Sequence, residues 1–440
     1  MRNALAIAAT ILAVAYGWPP AAAAAGDAPS QLGDTLGRLS LDAVIAEVVG
    51  HNDRALAARY MEDAAKAKIG PAGAWDDPML MAGVTNLPTS FDFREDGMTM
   101  KMLGLSQSIP YAGQKGLQSQ AARAGAEAAR ADRGETLLDL VAAAQSAYYD
   151  LYYRQQALDD LLSQRAILAE IVSTVQAGLA AGRVNQEDLA AAQADLWRAD
   201  AQILSARQEV DAAGYALNAL RGVAVDEMLP ELAEPAIALP ADSLAEWWDA
   251  AREHYPPLQR LAWEARRSGL EAAAARRMRW PMLGLSASYG FRESTAMERR
   301  GNMVGFAATL SLPLFSGRQQ GRMARAMEAM RRQSEADAGQ LWRDVQATLA
   351  TLHQRSRRLR ESLRLYREQI IPAAEEAYRS ALGGYTANRS PLNAVLAYAV
   401  AIYRDRLSAI QTANELARTM SEVERYTGDP ATLIPADEMR

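Results

Sequence analysis

The sequence predicts a mostly helical α/β membrane protein in which one unit is used twice: an opening helix, two strands and a long helical hairpin. Three observations predict it. Short segments recur at one offset. His51-Asn52-Asp53-Arg54 answers His254-Tyr255-Pro256-Pro257, Pro78-Met79-Leu80 answers Pro281-Met282-Leu283, and Gln107-Ser108-Ile109-Pro110 answers Leu310-Ser311-Leu312-Pro313, each pair 203 positions apart. Matches held in register mark a duplicated unit. Four strand-like segments of about 9–11 residues have the length a tilted strand needs to cross a bilayer, whereas no stretch after the leader reaches the ~18 apolar residues of a membrane helix. Long segments also repeat apolar residues at 3–4 spacing, the seam of a coiled coil.

The elements follow in order. Arg2, the apolar run Ala4 to Tyr16, Pro19-Pro20 and the small run Ala21 to Ala25 read as a secretory signal peptide over 1–25. A short N-terminal segment, 26–39, precedes the first repeat, 40–222. There Ser40 caps an opening helix from Leu41 to Ile69, which Pro71 and Gly73 end. Strands at 79–87 and 98–109 follow, joined by a polar loop with Pro88, Asp92, Asp96 and Gly97. The hairpin 114–221 carries Leu137, Val141, Ala144, Tyr148, Leu151, Leu158, Leu162, Val175 and Leu179 as its seam. Pro230, Pro235 and Pro240 place a linker at 223–241. The second repeat, 242–427, opens at Ser243 with Glu246 completing a capping box. It continues with strands at 283–291 and 303–312 and the hairpin 317–426, whose seam is Leu341, Val345, Leu352, Leu363, Tyr366, Ile370 and Ala377. Residues 428–440 form a tail. Outgoing helices of roughly 60 residues would span about 90 Å. The return helices, Gln186 to Arg221 and Pro391 to Tyr426, are near half that length, and the opening helices cover the remaining distance.

Composition excludes much. With no cysteine there is no disulfide, thiolate metal site, cysteine nucleophile or N-terminal lipid on cysteine. The three histidines, His51, His254 and His353, are far apart and lack metal-ligand spacing, so they read as packing or capping residues. No phosphate-binding loop or nucleophile elbow occurs, and a net charge of −6 offers nothing to nucleic acid. No enzyme, cofactor or resident metal is expected. A chain without a membrane helix can span a bilayer only as a barrel, and four strands cannot close one. Other copies of the chain must complete it.

The residues Asp77-Pro78-Met79-Leu80-Met81, Asn86-Leu87-Pro88 and Leu105 to Gly116 (Leu-Ser-Gln-Ser-Ile-Pro-Tyr-Ala-Gly-Gln-Lys-Gly) carry a family resemblance. Over roughly Leu39 to Thr427 the chain resembles the TolC-type outer-membrane efflux family, most like the branch serving heavy-metal RND exporters. The resemblance implies a homotrimer in outer-membrane lipid, with a 12-stranded β-barrel on a long periplasmic α-helical barrel. It implies passive conduction of substrates, heavy-metal cations first, from an inner-membrane RND transporter and a periplasmic adaptor. Multidrug efflux and type I secretion ducts share that architecture. From a different class, a periplasmic coiled-coil adaptor or scaffold would share the hairpins but not the four strands.

Pro110 and Pro313, followed by Gly113 and Gly317, fit the change from strand to helix, because proline lacks an N–H and disfavours helix just before it. At the far turns, Gly182 and Asn388 tolerate a left-handed backbone, Asn185 and Ser390 can cap the return helices, and Pro391 fits their first position. The resemblance makes these turns the periplasmic mouth, with Arg183 and Arg389 at the tips and Tyr385 and Asp188 as a latch holding it shut. Asp188 equally suits the first turn of a helix, and Tyr385 a half-buried turn aromatic. Where the family can carry an acidic ring this chain has Ala394 and Ala397, and Ser390 replaces an expected arginine, leaving Glu187, Asp188 or Arg389 to line the mouth. Pro372 should kink the outgoing helix and is a possible hinge. Met79, Met81, Met98, Met100 and Met102 suggest a soft-metal ladder, but alternation on a barrel strand favours packing against lipid.

Overall fold

The computed structural model describes residues 38–236, 243–294, 298–387 and 389–433. The signal peptide, Pro240 and Asn388 lie outside the described residues. A compact unit begins at Leu39.

In place of one opening helix from Leu41 to Ile69 there are three: α1 (Leu41–His51), α2 (Asp53–Ala67) and α3 (Ile69–Gly73). Asn52 makes the first break. Its Oδ1 accepts from the Arg54 N–H at 2.9 Å and its Nδ2 donates to the Leu220 carbonyl at 2.9 Å. Asparagine competes with the helix for backbone partners in this way. The second repeat breaks at the equivalent place. Tyr255 separates α6 (Leu244–His254) from α7 (Pro256–Arg277), and Pro256 stands at the first turn, where no N–H is needed. Ser40 caps α1 through the Ala43 N–H at 3.2 Å, whereas Ser243 makes no such bond.

Two hairpins make up the helical body. In the first, α4 (Gln114–Ala180) has 67 residues, about 100 Å of helix, and returns through α5 (Gln186–Arg221). In the second, α8 (Gln320–Leu365) passes through a π-helical turn, Tyr366–Ile370, into α9 (Ile371–Thr386) and returns as α10 (Leu392–Thr427). The short helices lie where the return helices stop: α2, α3 and α7 pack along α4, and α6 and α7 along α8. Beside Tyr148 the core holds Val44, Val48, Leu140, Leu151 and Leu217. The Tyr148 hydroxyl lies 2.8 Å from the Leu39 carbonyl and 2.7 Å from that of Ala233, and its single proton serves one at a time. Burial pushes this phenol up to about 12. The seam follows expectation from Leu137 to Leu151 and again at the buried Val175, but departs between them: Leu162 is 38% exposed and Leu161 1%. Beyond Leu151 the buried residues of α4 include Leu168, Ile171, Val172 and Val175, which pack with Ala192 and Ala199 of α5 and Val395 and Ala399 of α10. In the second seam Val345 and Leu352 are buried as expected, Leu349 and Leu359 join them from outside it, and Ile370, within the π turn, is 39% exposed. His51 and His254 end α1 and α6, where a cation suits the helix dipole. His353 is buried, edge-on to Trp247 at 5.1 Å.

The strands form a four-stranded antiparallel sheet in the order β2 (Met79–Thr85), β3 (Met100–Ile109), β5 (Leu283–Arg292), β6 (Met303–Leu310). Two-residue strands, β1 (Arg38–Leu39) and β4 (Glu231–Leu232), make up a separate sheet. β2 ends at Thr85 rather than at 87, because Asn86 takes a φ of +53° and Pro88 follows. β3 begins at Met100 rather than 98; before it, Asp96 Oδ1 accepts from the Met98 N–H in a turn. β5 runs one residue past 291. β6 stops at Leu310 rather than 312, although the Ser311 N–H still reaches the Met282 carbonyl at 3.0 Å.

Cross-strand register sorts the side chains onto two faces, since opposed residues share a face. One carries Leu80, Val84, Leu103, Leu105, Tyr289, Phe291, Val304, Phe306 and Leu310, with Lys101 and Gln107 towards the strand ends. The other carries Met79, Met81, Met100, Met102 and Met303 among Gly104, Ser106, Ser108, Ser286, Ser288 and Thr309. The strand methionines expected to pack against lipid thus share the small, polar face and not the apolar one. Alternation shows which residues share a face, but cross-strand register is needed to show which face is apolar.

Candidate functional site

The first tip is closed by its backbone. Gly182 takes a φ of +66°. Its N–H donates to the Leu179 carbonyl at 2.9 Å, and the Arg183 N–H reaches back to Gly178 at 2.9 Å. This pair of bonds is a Schellman turn, which satisfies the last carbonyls of α4 and needs a residue free of Cβ strain. Val184 packs on Gly178, as the accompanying apolar contact. The Asp188 carboxylate accepts from the Asn185 N–H at 3.3 Å within a capping box at the start of α5. Arg183 and Glu187 are exposed.

The second tip differs by one residue from expectation. Pro391, not Ser390, is the N-cap of α10, with φ −74° and ψ 153° and no side-chain cap bond. The Ser390 and Arg389 N–H groups both turn back to the Gly384 carbonyl, at 3.2 and 2.7 Å. Proline cannot donate, so the preceding turn uses those N–H groups instead. Asn388 lies outside the described residues, and Arg389 is exposed. Tyr385 is half-buried against the cluster of Leu168, Ile171, Val175, Leu392 and Val395, which Val184 and Leu189 of the first tip join. Burial raises the Tyr385 phenol above its ordinary value, and the nearby Asp188 carboxylate raises it further. The structure thus brings Tyr385 and Asp188 together within one chain, as a packed aromatic beside a capping carboxylate.

The strand-to-helix junctions are unlike each other. After Pro110, Gly113 turns with φ +86° and α4 starts at once. Tyr111 stacks on Trp280 from the other repeat, with centroids 5.4 Å apart. Asp76 receives Lys115 at 3.1 Å on its carboxylate and Gln107 at 2.7 Å on its carbonyl. After Pro313 the chain runs through turns, with the Ser316 N–H on the Pro313 carbonyl at 3.1 Å, and α8 begins only at Gln320. Gly317 has no left-handed φ.

Pro372 sits in the first turn of α9, immediately after the π turn. An ordinary helix would need its missing N–H and would press its ring on the carbonyl four residues back. The extra residue in the turn relieves that clash, with the Ile371 N–H on the Tyr366 carbonyl. One turn beyond, Arg406 of α10 reaches Glu375 of α9 at 2.5 Å and Asp160 of α4 at 3.1 Å. Three helices meet at this fork, beside a cavity of about 270 Å³ that Tyr378 and Tyr403 help to line. Sequence reasoning missed it, because its members are 31 and 246 residues apart and belong to no motif.

Among the described residues no group of three or more histidines, aspartates or glutamates could hold a metal ion, and no helix is long and apolar enough to cross a membrane.

Comparison with known proteins agrees with this architecture. Residues 44–223 match the family model described as outer membrane efflux protein. The cobalt-zinc-cadmium resistance protein CzcC of Cupriavidus metallidurans is 23% identical over 426 residues, 95% of this chain and 98% of its own. The multidrug resistance outer membrane protein MdtP of Escherichia coli O6:H1 is 27% identical over 210 residues, 46% of this chain; the match spans less than half of that relative, 42%. Among solved structures, CusC superposes with a TM-score of 0.74 at 15% identity, covering 93% of this chain and 99% of that one. VceC of Vibrio cholerae gives 0.73 at 16%, covering 88% and 96%. Residues 44–223 thus resemble the outer membrane efflux protein family, and the chain as a whole has the fold of the outer-membrane channels CusC and VceC.

Proposed function

We propose that the chain is the exit channel of a tripartite efflux system, passively conducting substrates, heavy-metal cations first, from an inner-membrane RND transporter and a periplasmic adaptor. One observation carries the reading. A sheet whose central strands β3 and β5 have the ten residues a tilted strand needs to cross a bilayer, apolar on one face and small and polar on the other, has the shorter β2 and β6 as unpaired edges and stands on helices far longer than a soluble domain needs. Each unpaired backbone group in lipid costs several kcal/mol. Three copies joined edge to edge give twelve strands with none left over. The apolar face then meets outer-membrane lipid and the other lines a lumen, while the hairpins project into the periplasm.

The tips are then the mouth, with Arg183, Arg389 and Glu187 exposed to an adaptor and to the substrate path. Tyr385 packed beside Asp188 acts as its latch, and Pro372 with the π turn as its hinge. Full-length likeness to a cobalt-zinc-cadmium resistance protein supports metal cations. Likeness of one half to a multidrug resistance protein supports a second reading, drug efflux by the same duct. A deletion strain tested against copper, silver, zinc, cobalt, cadmium and a drug panel separates the two. Sensitivity to one metal group, restored by the intact gene, is expected; sensitivity to drugs alone overturns the metal assignment. An adaptor or scaffold would wash off membranes in carbonate, and a barrel would stay.

A further inference from the structure

The five methionines on the small, polar face of the sheet have no counterpart on the other face. Within the four strands, the face of Leu103, Tyr289 and Phe306 carries no methionine, and the face of Ser106 and Ser288 carries no leucine, isoleucine, valine, phenylalanine or tyrosine. If that second face needed only apolar bulk, leucine would serve as well as on the first. What distinguishes the side chains found there is the thioether sulfur. Nor do they plug a core: Met79 and Met81 are 70% and 58% exposed.

We propose that Met79, Met81 and Met102 form a thioether patch that binds soft monovalent cations, Ag(I) and Cu(I), on the inner wall of the barrel. The proposal rests on the closed-barrel reading, which turns this face to the lumen. Met81 stands opposite Gly104, and Met102 opposite Gly83. The two are therefore diagonal neighbours on one face, about 7–8 Å apart or less, within reach of long flexible side chains. Glycine opposite each leaves the sulfurs room to swing, and the Met102 sulfur accepts the Thr85 hydroxyl at 2.8 Å with one lone pair, which leaves its second for a ligand. Met100 and Met303 are excluded from the patch. Arg292 lies opposite Met100 and donates to the Met303 sulfur at 3.3 Å, and its charge repels a cation there. Thioethers select soft monovalent ions, whereas zinc, cobalt and cadmium prefer imidazole, carboxylate or thiolate. This face of the four strands carries no histidine, aspartate, glutamate or cysteine.

The test is equilibrium dialysis of the purified full chain in lipid nanodiscs against silver nitrate in chloride-free buffer, with zinc nitrate alongside. The wild type is compared with the triple variant Met79→Leu, Met81→Leu, Met102→Leu, which keeps bulk and removes sulfur. Saturable Ag(I) binding, weakened at least tenfold in the variant, with no zinc retained at these residues, is expected. Equal Ag(I) binding by both, or none by the wild type, overturns the proposal. Methionine footprinting of the wild type needs no variant: Ag(I) should protect Met79, Met81 and Met102 and spare the exposed Met228. Protection that does not favour the three would also overturn it. Carbonate extraction of the same wild-type protein keeps the two readings apart. A protein that stays in the membrane and ignores Ag(I) refutes the patch alone, and one that washes off refutes the barrel.

Discussion

Replacing Arg406 with alanine should release the second hairpin. The guanidinium joins α9, α10 and α4 through Glu375 at 2.5 Å and Asp160 at 3.1 Å. Arg406 and Glu375 are each 38% exposed, so their pair is screened by solvent and contributes at most about 1 kcal/mol. Asp160 is more costly to abandon. Its side chain is 16% exposed, and its second oxygen is already buried without a hydrogen bond. Leaving a buried acceptor unsatisfied costs about 1–3 kcal/mol. The sum is about 1–4 kcal/mol, part of which is recovered when Asp160 rotates to water, giving about 1–3 kcal/mol. If α9 must leave α4 for the mouth to open, that difference raises the open-to-closed ratio about 5–150-fold. Single-channel recording in planar bilayers reads the ratio directly. Arg406→Lys should lie between wild type and alanine, since one ammonium replaces a two-pronged fork. An alanine variant whose open probability stays within twofold of wild type would refute the clamp.

Three further outcomes are expected. Pro372→Ala should restore an ordinary helical turn in place of the π turn and reduce the open probability, and unchanged conductance and export would remove the hinge. Tyr385→Ala should destabilise the tip cluster by about 1–3 kcal/mol and increase leak, with Tyr385→Phe close to wild type because the ring supplies the packing; equal leak from both variants would shift the role to the hydroxyl. Glu62 ties Lys66 at 2.8 Å and Arg133 at 3.1 Å; burial raises its carboxyl, but the two cations outweigh this and hold it below the ordinary value of 4.5. Its stabilisation is therefore present above the unfolded value and is lost as pH falls through the lower folded value. Glu62→Gln should cost about 1–3 kcal/mol at neutral pH and flatten the acid limb of a thermal-melting profile, and a parallel acid limb would count against the pair.

What could be read in the sequence was what depends on near neighbours. Heptad spacing from Leu137 to Leu151, the turn at Gly182 and the offset joining His51 to His254 each need only a few adjacent residues. The break at Asn52 was within reach, since asparagine is a cap residue, yet the longer periodicity of the opening segment concealed it. The methionine face was not legible, because a period of two cannot say which side of a sheet another strand will make apolar. Only the pairing of Met102 with Gly290 and of Leu103 with Tyr289 decides that. The fork at Arg406 was hidden for a related reason, as its three members meet only after both hairpins have folded.

The central claim, that β2 and β6 are joined between copies, can be tested in a chain that has no cysteine of its own. In one chain these edges are three strand spacings apart, about 14 Å, too far for a disulfide. A short scan of paired substitutions, one on β2 beginning with Ala82→Cys and one on β6 beginning with Ala308→Cys, would be oxidised in membranes and resolved on a denaturing gel. A ladder ending at three chains is predicted. Only monomer across the whole scan, or a ladder running beyond three, would contradict the closed trimer.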